Sequence, residues 1–196
     1  MEQRREIVLA STSRYRRELL ARLGLEFVCA APGVPESAEP GERPAALALR
    51  LSVLKARAVA PLFGSALIIG SDQAASCEGR QIGKPGNREN AIAQLEFLKG
   101  KTVDFDTAVS VLDAASGELR SRVVPCRVEF RDLSRRQIET YVDRERPFDC
   151  SASAKAEGLG IALLARIRTD DPTSLIGLPL IALTELLAEA GLPVIA

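Results

Sequence analysis

Ala66–Gly70 (ALIIG) is a continuous run of apolar and small residues in the first half of the chain. A run of this length without polar alternation is typical of a central parallel strand that is covered on both faces. Ser71, Asp72 and Gln73 follow it directly. Because ligands of open α/β sheets bind outside the carboxyl ends of the strands, we expect these three polar side chains to reach a ligand site.

The residues before this run predict strands and helices in alternation. Ile7–Ala10 is a short apolar run, and Ser11-Thr12-Ser13 behind it offers hydroxyls that can cap a helix. This helix is expected to continue to about Leu23 and to end at Gly24. We further predict a strand at Glu26–Ala31 and a helix at Pro44–Ala60, in which Lys55 lies beside the apolar stripe.

The residues after the run add a hairpin and further helices. Val103–Leu112 and Leu119–Phe130 alternate apolar and polar side chains around a turn, which predicts a long antiparallel hairpin. We also predict a helix capped by Asn87 and ended by Gly100, a helix opened by a Ser134/Gln137 capping box, a strand at Gly160–Ile167 and a last helix at Thr173–Ala190. With 196 residues, 46% of them hydrophobic, the chain is expected to form one α/β domain (1–196) with two lobes.

The composition excludes several classes of function. Twenty-six Lys and Arg residues balance 26 Asp and Glu residues, so no long-range field exists to hold a nucleic acid or an anionic membrane. The four cysteines form no CxxC pair, which argues against a zinc knuckle and a disulfide framework and fits a reducing cytoplasm. The charged N-terminus leads into an apolar run too short for a signal peptide, and we therefore expect a cytoplasmic protein.

The sequence contains no histidine. Ser-His and Cys-His nucleophile pairs and imidazole-bound metals are therefore excluded. An enzyme of this composition must use carboxylates, lysines and hard metal ions.

Two segments could carry such chemistry. Ser11-Thr12-Ser13 with Arg16 and Arg17 one turn later is a helix start that could bind phosphate, although an ordinary capped surface helix explains it as well. Asp72 follows an apolar run, where an ionised carboxylate needs a cation, a metal or a catalytic task. It is the leading candidate for a general base, and the alternative is an Asp that only caps the next turn.

Two further residues lie in turns of small residues. Lys84 is flanked by Gly83 and Pro85, which fix the backbone as a phosphate-binding lysine requires, yet it could also be a solvated turn residue. Glu157 lies in a loop of small residues that would let a ligand approach the backbone, and here too a structural reading remains open.

Several short motifs occur in a fixed order along the chain. They are Leu9-Ala10-Ser11-Thr12-Ser13 with Arg16, Glu36 after Pro35, Lys55-Ala56, Gly70-Ser71-Asp72-Gln73, Gly83-Lys84-Pro85, Glu157-Gly158 and Ile176-Gly177-Leu178-Pro179-Leu180. No single motif is specific, but in this order the set resembles the Maf family over nearly the whole chain.

The resemblance implies a two-lobed Maf/ITPase-like α/β fold, with an elongated mixed β-sheet flanked by helices and a central cleft. It also implies a divalent metal, Mg²⁺ or Mn²⁺, and hydrolysis of nucleoside triphosphates between the α and β phosphates. By resemblance, Asp72 is the proton acceptor, Lys55 and Lys84 are catalytic cations, Ser11, Ser13 and Arg16 bind the substrate, and Glu36 and Asp72 hold the metal.

The family divides by base specificity, and Tyr15, Gln73 and Glu157 occupy the positions that match its selectivity residues. They resemble the branch that hydrolyses 7-methyl-GTP rather than the dTTP/UTP branch. Guanine presents donors at N1 and N2, which a carboxylate such as that of Glu157 can accept, and the cationic methylated base would gain cation–π attraction to Tyr15.

The chain departs from the family pattern at two places. Arg14 stands where the family usually has Pro, which should alter only the helix start. Ser151-Ala152-Ser153-Ala154 stands where Gly and Phe are more usual, and this loop precedes Glu157.

The expected function is hydrolysis of 7-methyl-GTP to 7-methyl-GMP and pyrophosphate, which would remove a modified nucleotide from the pool. The alternatives are a dTTP/UTP pyrophosphatase, a phosphatase acting on sugar phosphates, and a nucleotide-binding regulator of cell division without turnover. The expected partner is a small-molecule nucleotide, with no nucleic acid and no membrane, and the family commonly forms homodimers.

Overall fold

The computed structural model of the protein describes residues 5–195. Within this range the helices are α1 (Arg14–Ala21), α2 (Pro44–Val59), α3 (Arg88–Leu98), α4 (Arg135–Glu145) and α5 (Leu180–Glu189). The strands are β1 (Ile7–Leu9), β2 (Val28–Cys29), β3 (Leu67–Cys77), β4 (Arg80–Ile82), β5 (Thr102–Asp113), β6 (Leu119–Phe130) and β7 (Leu164–Thr169). No helix of residues 5–195 is long and apolar enough to cross a membrane.

The strands form one seven-stranded mixed sheet in the order β2-β1-β3-β5-β6-β7, with β4 paired to β3 off this path. β1 lies parallel to both of its neighbours, with Val8 opposite Val28 and Ile7 opposite Leu67. The β3–β4 and β6–β7 pairs are antiparallel. The expected class, a mixed α/β fold with helices beside a mixed sheet, is confirmed.

The chain forms two compact units. Unit 1 contains the described residues up to Gln73, Thr107–Val124 and the described residues from Asp171 onward, and unit 2 contains Ala74–Asp106 and Pro125–Asp170. β3, β5 and β6 each contribute residues to both units. The assignment of the whole chain to one domain stays a prediction.

The core of unit 1 follows the side-chain alternation of β1 and β3. Leu9, Leu67 and Ile69 belong to one buried cluster, and Val8 and Ile68 belong to another. The first cluster also contains Leu19 and Leu20 of α1 and Leu183, Leu186 and Leu187 of α5, and the second contains Ala56 and Val59 of α2. Burial of one such leucine stabilises a fold by about 1.5–3 kcal/mol, so these clusters fix the helices on the sheet.

Unit 2 is built around the packing of α3 on α4. Ala91, Leu95 and Leu98 of α3 are fully buried, as are Ile138 and Val142 of α4. Asn87 caps α3, and Ser134 and Gln137 form the capping box at the start of α4, as the sequence predicts.

Several predicted boundaries were wrong. β3 does not end at Gly70 but continues to Cys77, and the strand predicted at Gly160–Ile167 is β7, which begins only at Leu164 and continues to Thr169. The last helix begins at Leu180 rather than at Thr173, because Gly177 has a φ of +117° and Pro179 follows it. Asp171 nevertheless caps this helix, since its Oδ2 accepts hydrogen bonds from the backbone N–H groups of Ile181 (2.7 Å) and Ala182 (3.2 Å).

Candidate active site

Lys55 joins two predicted site carboxylates in unit 1. Its Nζ lies 2.5 Å from Oε1 of Glu36 and 2.6 Å from Oδ1 of Asp72. The side chains of Lys55 and Asp72 are 5% and 11% exposed, whereas that of Glu36 is 56% exposed. The ammonium and the Asp72 carboxylate therefore compensate each other inside the protein, and Glu36 reaches the same ammonium from the solvent side.

Gly70 explains why Lys55 lies so close to Asp72. A Cβ atom at Gly70 would lie 2.0 Å from the carbonyl oxygen of Ser52 and 2.9 Å from the backbone nitrogen of Ala56. The backbone of α2 thus rests directly on β3 at this glycine. Asp72 lies two residues further along the strand, on the same face, and so meets the residue that precedes Ala56.

Asp72 lies inside β3. The apolar run had predicted that the strand would end before Asp72. The strand continues because each polar residue after Gly70 has a partner. Ser71 Oγ lies 2.8 Å from the carbonyl oxygen of Ala108 and 3.0 Å from that of Gly177, so its one O–H can donate to either, and Lys55 compensates Asp72. An apolar run followed by polar residues does not end a strand when tertiary partners satisfy those residues.

Arg16 lies in the electrostatic field of the same two carboxylates. Burial lowers the pKa of its guanidinium, while the charges of Asp72 and Glu36 oppose this shift. Arg16 Nε donates to the carbonyl oxygen of Gly177 at 2.8 Å, which fixes the orientation of the guanidinium. Unit 1 therefore brings together two cations, Arg16 and Lys55, and two carboxylates, Glu36 and Asp72.

Ser13 caps the start of α1, and Ser11 supports the backbone of Ser13 just before the helix. Ser13 Oγ accepts from the backbone N–H of Arg16 at 3.4 Å, and Ser11 Oγ accepts from that of Ser13 at 3.1 Å. The capping interpretation is confirmed, and the binding of phosphate by these serines stays a prediction.

Two predicted base-selectivity residues also lie in unit 1. The Arg14 guanidinium lies 4.7 Å from the centroid of the Tyr15 ring, and Arg14 Nη2 donates to the Tyr15 hydroxyl at 2.6 Å. The ring therefore already contacts one cation, supplied by the residue that departs from the family pattern. Gln73 Nε2 lies 2.9–3.1 Å from Thr107 Oγ1 and the carbonyl oxygens of Ser174 and Leu175. Gln73 therefore links β3 to β5 and to the segment before α5.

In unit 2, Lys84 is exposed on a turn that is held from several sides. Asn90 Nδ2 donates to the carbonyl oxygen of Pro85 at 3.0 Å, and the backbone N–H of Gly86 donates to that of Phe148 at 3.0 Å. These contacts fix the backbone that directly follows Lys84.

Glu157 is exposed on a second loop of unit 2. In the segment before it, Ala152 and Ser153 both have left-handed backbone conformations, with φ of 57° and 52°. Such conformations are strained for residues other than glycine. They occur in the stretch where the family more usually has glycine.

The sequence analysis missed Gln94, which connects these two segments. Its Oε1 accepts from Ser153 Oγ at 2.5 Å, and its Nε2 donates to the carbonyl oxygen of Gly83 at 3.0 Å. One signal was available in the sequence, because Gln94 is a polar residue between Ala91 and Leu98 on the apolar side of α3.

The predicted metal ligands, Glu36 and Asp72, are a pair rather than a full set. No group of three or more His, Cys, Asp or Glu side chains within residues 5–195 could hold a metal ion. Mg²⁺, however, is commonly held by one or two carboxylates that share it with water and substrate phosphates. Two carboxylates that already share one cation fit this type of site.

The chain belongs to the Maf family, since the family model described as Maf-like protein matches residues 6–190. This match confirms the resemblance seen in the ordered motifs.

Two relatives that the chain matches over nearly their full length are both named 7-methyl-GTP pyrophosphatase. The chain is 53% identical over 189 residues to the 7-methyl-GTP pyrophosphatase of Thiobacillus denitrificans, which covers 96% of this chain and 94% of that protein. It is 54% identical over 187 residues to the 7-methyl-GTP pyrophosphatase of Aromatoleum aromaticum, with coverage of 95% and 96%. A solved structure of the Staphylococcus aureus Ham1 protein gives a TM-score of 0.45 at 17% identity and covers 65% of this chain and 73% of that one, a likeness too weak to support a conclusion.

Proposed function

We propose that this Maf-family protein is a nucleoside triphosphate pyrophosphatase that hydrolyses 7-methyl-GTP to 7-methyl-GMP and pyrophosphate. The observation that carries the proposal is the cluster of Lys55, Asp72 and Glu36. The charges of its two carboxylates also act on the guanidinium of Arg16. Two relatives that are 53% and 54% identical to nearly the whole chain are named 7-methyl-GTP pyrophosphatase, which supports the choice of substrate.

In this proposal Asp72 accepts a proton from the water that attacks the α phosphorus. A bond forms between the water oxygen and the α phosphorus, the bond from that phosphorus to the α–β bridging oxygen breaks, and pyrophosphate leaves. Arg16 and Lys55 stabilise the negative charge that develops on the phosphate oxygens. Because Gly177 orients Arg16 and Asp72 orients Lys55, both cations are held in place before the substrate arrives.

A divalent ion, Mg²⁺ or Mn²⁺, would be held by Glu36 and Asp72, with further oxygens from water and substrate. When bound it would polarise the phosphate oxygens and neutralise part of their charge. The residues' own part is to hold two carboxylates beside a shared ammonium, so that the carboxylate oxygens are organised around a positive charge.

The remaining site residues receive separate roles. We assign Glu157 to the N1 and N2 donors of guanine, Tyr15 to the cationic face of the methylated base and Gln73 to the support of the site near Thr107. Lys84 is assigned to the phosphates, and Ser11 and Ser13 to a phosphate at the start of α1.

The deciding experiment measures pyrophosphate release with Mg²⁺ or Mn²⁺ from 7-methyl-GTP, GTP, UTP, dTTP and ITP. We expect the highest kcat/KM with 7-methyl-GTP. A lead for UTP or dTTP would assign the chain to the other branch, and release of orthophosphate would indicate a phosphatase. Nucleotide binding without any product would support a regulator that does not turn its ligand over.

A further inference from the structure

A carboxylate at the end of α4 contacts the loop that carries Glu157 on both sides of that residue. Glu145 Oε1 lies 2.6 Å from Lys155 Nζ, and Glu145 Oε2 accepts from the backbone N–H of Leu159 at 2.8 Å. The two contacts fall two residues before and two residues after Glu157. One side chain thus fixes both ends of the short segment on which Glu157 stands.

The same carboxylate packs directly on the backbone of this segment. A Cβ atom at Gly158 would lie 3.0 Å from Glu145 Oε1 and 3.1 Å from Oε2, closer than side chains normally approach. The carbonyl oxygen of Lys155 accepts from the backbone N–H groups of Gly158 and Gly160, each at 3.0 Å. The segment is therefore a closed turn that lies against Glu145.

Tyr141 supports the turn from one helical turn earlier on α4. Its hydroxyl donates to the carbonyl oxygen of Ser153 at 3.0 Å and accepts from the backbone N–H of Lys155 at 3.1 Å. Residues four apart lie on the same face of a helix, so Tyr141 and Glu145 present one surface to the loop. Burial raises the pKa of Tyr141, which keeps the phenol protonated and able to donate.

The ion pair is sheltered enough to be strong. The side chains of Glu145 and Lys155 are 14% and 24% exposed, and charge-assisted hydrogen bonds are stronger when solvent is displaced. The hydrogen bond from Lys155 holds the pKa of Glu145 below its usual value. Glu157, by contrast, is exposed at the middle of the held segment.

We propose that Glu145 is a positioning residue that sets base selectivity by fixing Glu157, an inference that rests on the proposed function. If the loop were mobile, the Glu157 carboxylate would no longer be fixed where it distinguishes the guanine edge from the uracil edge. The hydrolysis at the phosphates would be unchanged. The consequence is a change in the ratio of two substrates rather than a loss of activity with both.

The test compares wild type, Glu145→Ala and Glu145→Gln for pyrophosphate release from 7-methyl-GTP and UTP, at a temperature well below each melting point. We expect Glu145→Ala to lower the ratio of the two kcat/KM values about tenfold, because small misplacements of a binding group are costly. Glu145→Gln keeps an acceptor for the Leu159 N–H and should recover part of the ratio. Glu139→Ala is the matched control, since Glu139 makes an exposed 2.7 Å ion pair with Arg135 on the same helix.

The outcomes separate the two proposals. A wild-type enzyme without preference for 7-methyl-GTP overturns the proposed function, and with it this inference. A wild-type enzyme with that preference, and a Glu145→Ala variant that loses both activities equally, leaves the function intact and overturns the positioning role. If Glu145→Ala fails to fold, Lys155→Met removes the ion pair but keeps the Leu159 contact, and an unchanged ratio in that variant overturns the inference.

Discussion

Lys55 determines the charge balance of the candidate site. It is buried with Asp72 and is shared with Glu36, so one ammonium serves two carboxylates. Removal of one partner from a buried ion pair typically costs about 3–5 kcal/mol, because the other charge is left uncompensated. The same contact that compensates the charge of Asp72 inside the protein also fixes the position of its carboxylate.

Replacement of Asp72 by Asn tests its role as the proton acceptor. We expect turnover of 7-methyl-GTP to fall at least about a hundredfold, since an amide cannot take the proton of the attacking water. Nucleotide binding should remain measurable by isothermal titration, because Asn has the same shape and can still accept from Lys55.

The control for this variant is Asp104→Asn, which removes an exposed carboxylate 2.7 Å from Arg127 and should leave turnover unchanged. Turnover in Asp72→Asn close to that of wild type would rule out the assigned role.

The sequence predicted the members of the site better than their contacts. Asp72, Lys55 and Arg16 were all identified, but their partners are 17 to 161 residues away and leave no periodic signal. Gln94 and Glu145 were missed because their hydrogen-bond partners lie 10 to 59 residues away, and local sequence patterns do not reveal such contacts. Residue type predicts what chemistry is available, whereas tertiary packing decides which groups meet.

At the scale of elements, the approach of α2 to β3 is set by Gly70. Gly70→Ala would place a methyl group 2.0 Å from the Ser52 carbonyl oxygen and so push α2 away from the strand. We expect the free energy of unfolding to fall by about 1–3 kcal/mol, as is usual for overpacking. Because Lys55 would move with the helix, kcat should fall at least about tenfold.

Urea unfolding and steady-state kinetics measure the two effects of this substitution. Gly64→Ala is the matched control, because a Cβ atom there would meet nothing within 4 Å. Full activity of Gly70→Ala would contradict the positioning of Lys55 by this contact.

The β5–β6 hairpin supplies a pH-dependent contribution to stability. Asp113 at the end of β5 forms a 2.6 Å ion pair with Arg5, whose hydrogen bond lowers the pKa of Asp113 from 3.8 to about 2. Because the folded-state pKa is depressed, the stabilisation is present above the ordinary pKa and is lost as the pH falls toward 2. For a partly exposed pair it amounts to about 1 kcal/mol or less.

Asp113→Asn should therefore be less stable than wild type at pH 7, and the difference should shrink steadily between pH 4 and pH 2. Melting temperatures across this range measure the effect. Asn can still accept from the turn N–H groups of Ala115 and Ser116, so the hairpin itself should persist. A difference of constant size down to pH 2 would show that it does not arise from the carboxylate charge.

Elements with strong local signals were predicted well from the sequence. The hairpin, the capping box at Ser134 and the helix capped by Asn87 all depend on residues close in the chain. The start of α5 was placed too early, because Asp171 caps that helix from a distance of ten residues through a turn that includes Gly177. β3 was ended too soon, because its polar residues are satisfied by distant partners.

At the scale of the whole molecule, the mixed α/β class could be predicted from the order of strands and helices. The division into two units could be predicted only as two lobes, since their boundaries run through strands. β3 passes from unit 1 to unit 2 between Gln73 and Ala74 without interruption. Each unit is also assembled from separate stretches of chain, so neither corresponds to one continuous segment.

This connectivity predicts a single cooperative unfolding transition, and the chain carries its own reporters for it. It has two tyrosines and no tryptophan, with Tyr15 in unit 1 and Tyr141 in unit 2. Tyr141→Phe leaves fluorescence from unit 1, and Tyr15→Phe leaves fluorescence from unit 2. In each variant we expect the urea midpoint of tyrosine fluorescence to coincide with that of far-UV circular dichroism, the usual criterion for two-state unfolding.

The comparison must be made within each variant, because Tyr141→Phe removes hydrogen bonds to the Glu157 loop, each worth about 0.5–1.5 kcal/mol. Separate midpoints in either variant would show that one unit unfolds while the other persists. The three strands shared by both units argue against that result, because melting one unit would break β3, β5 and β6 in mid-strand and expose unpaired backbone groups in the unit left behind.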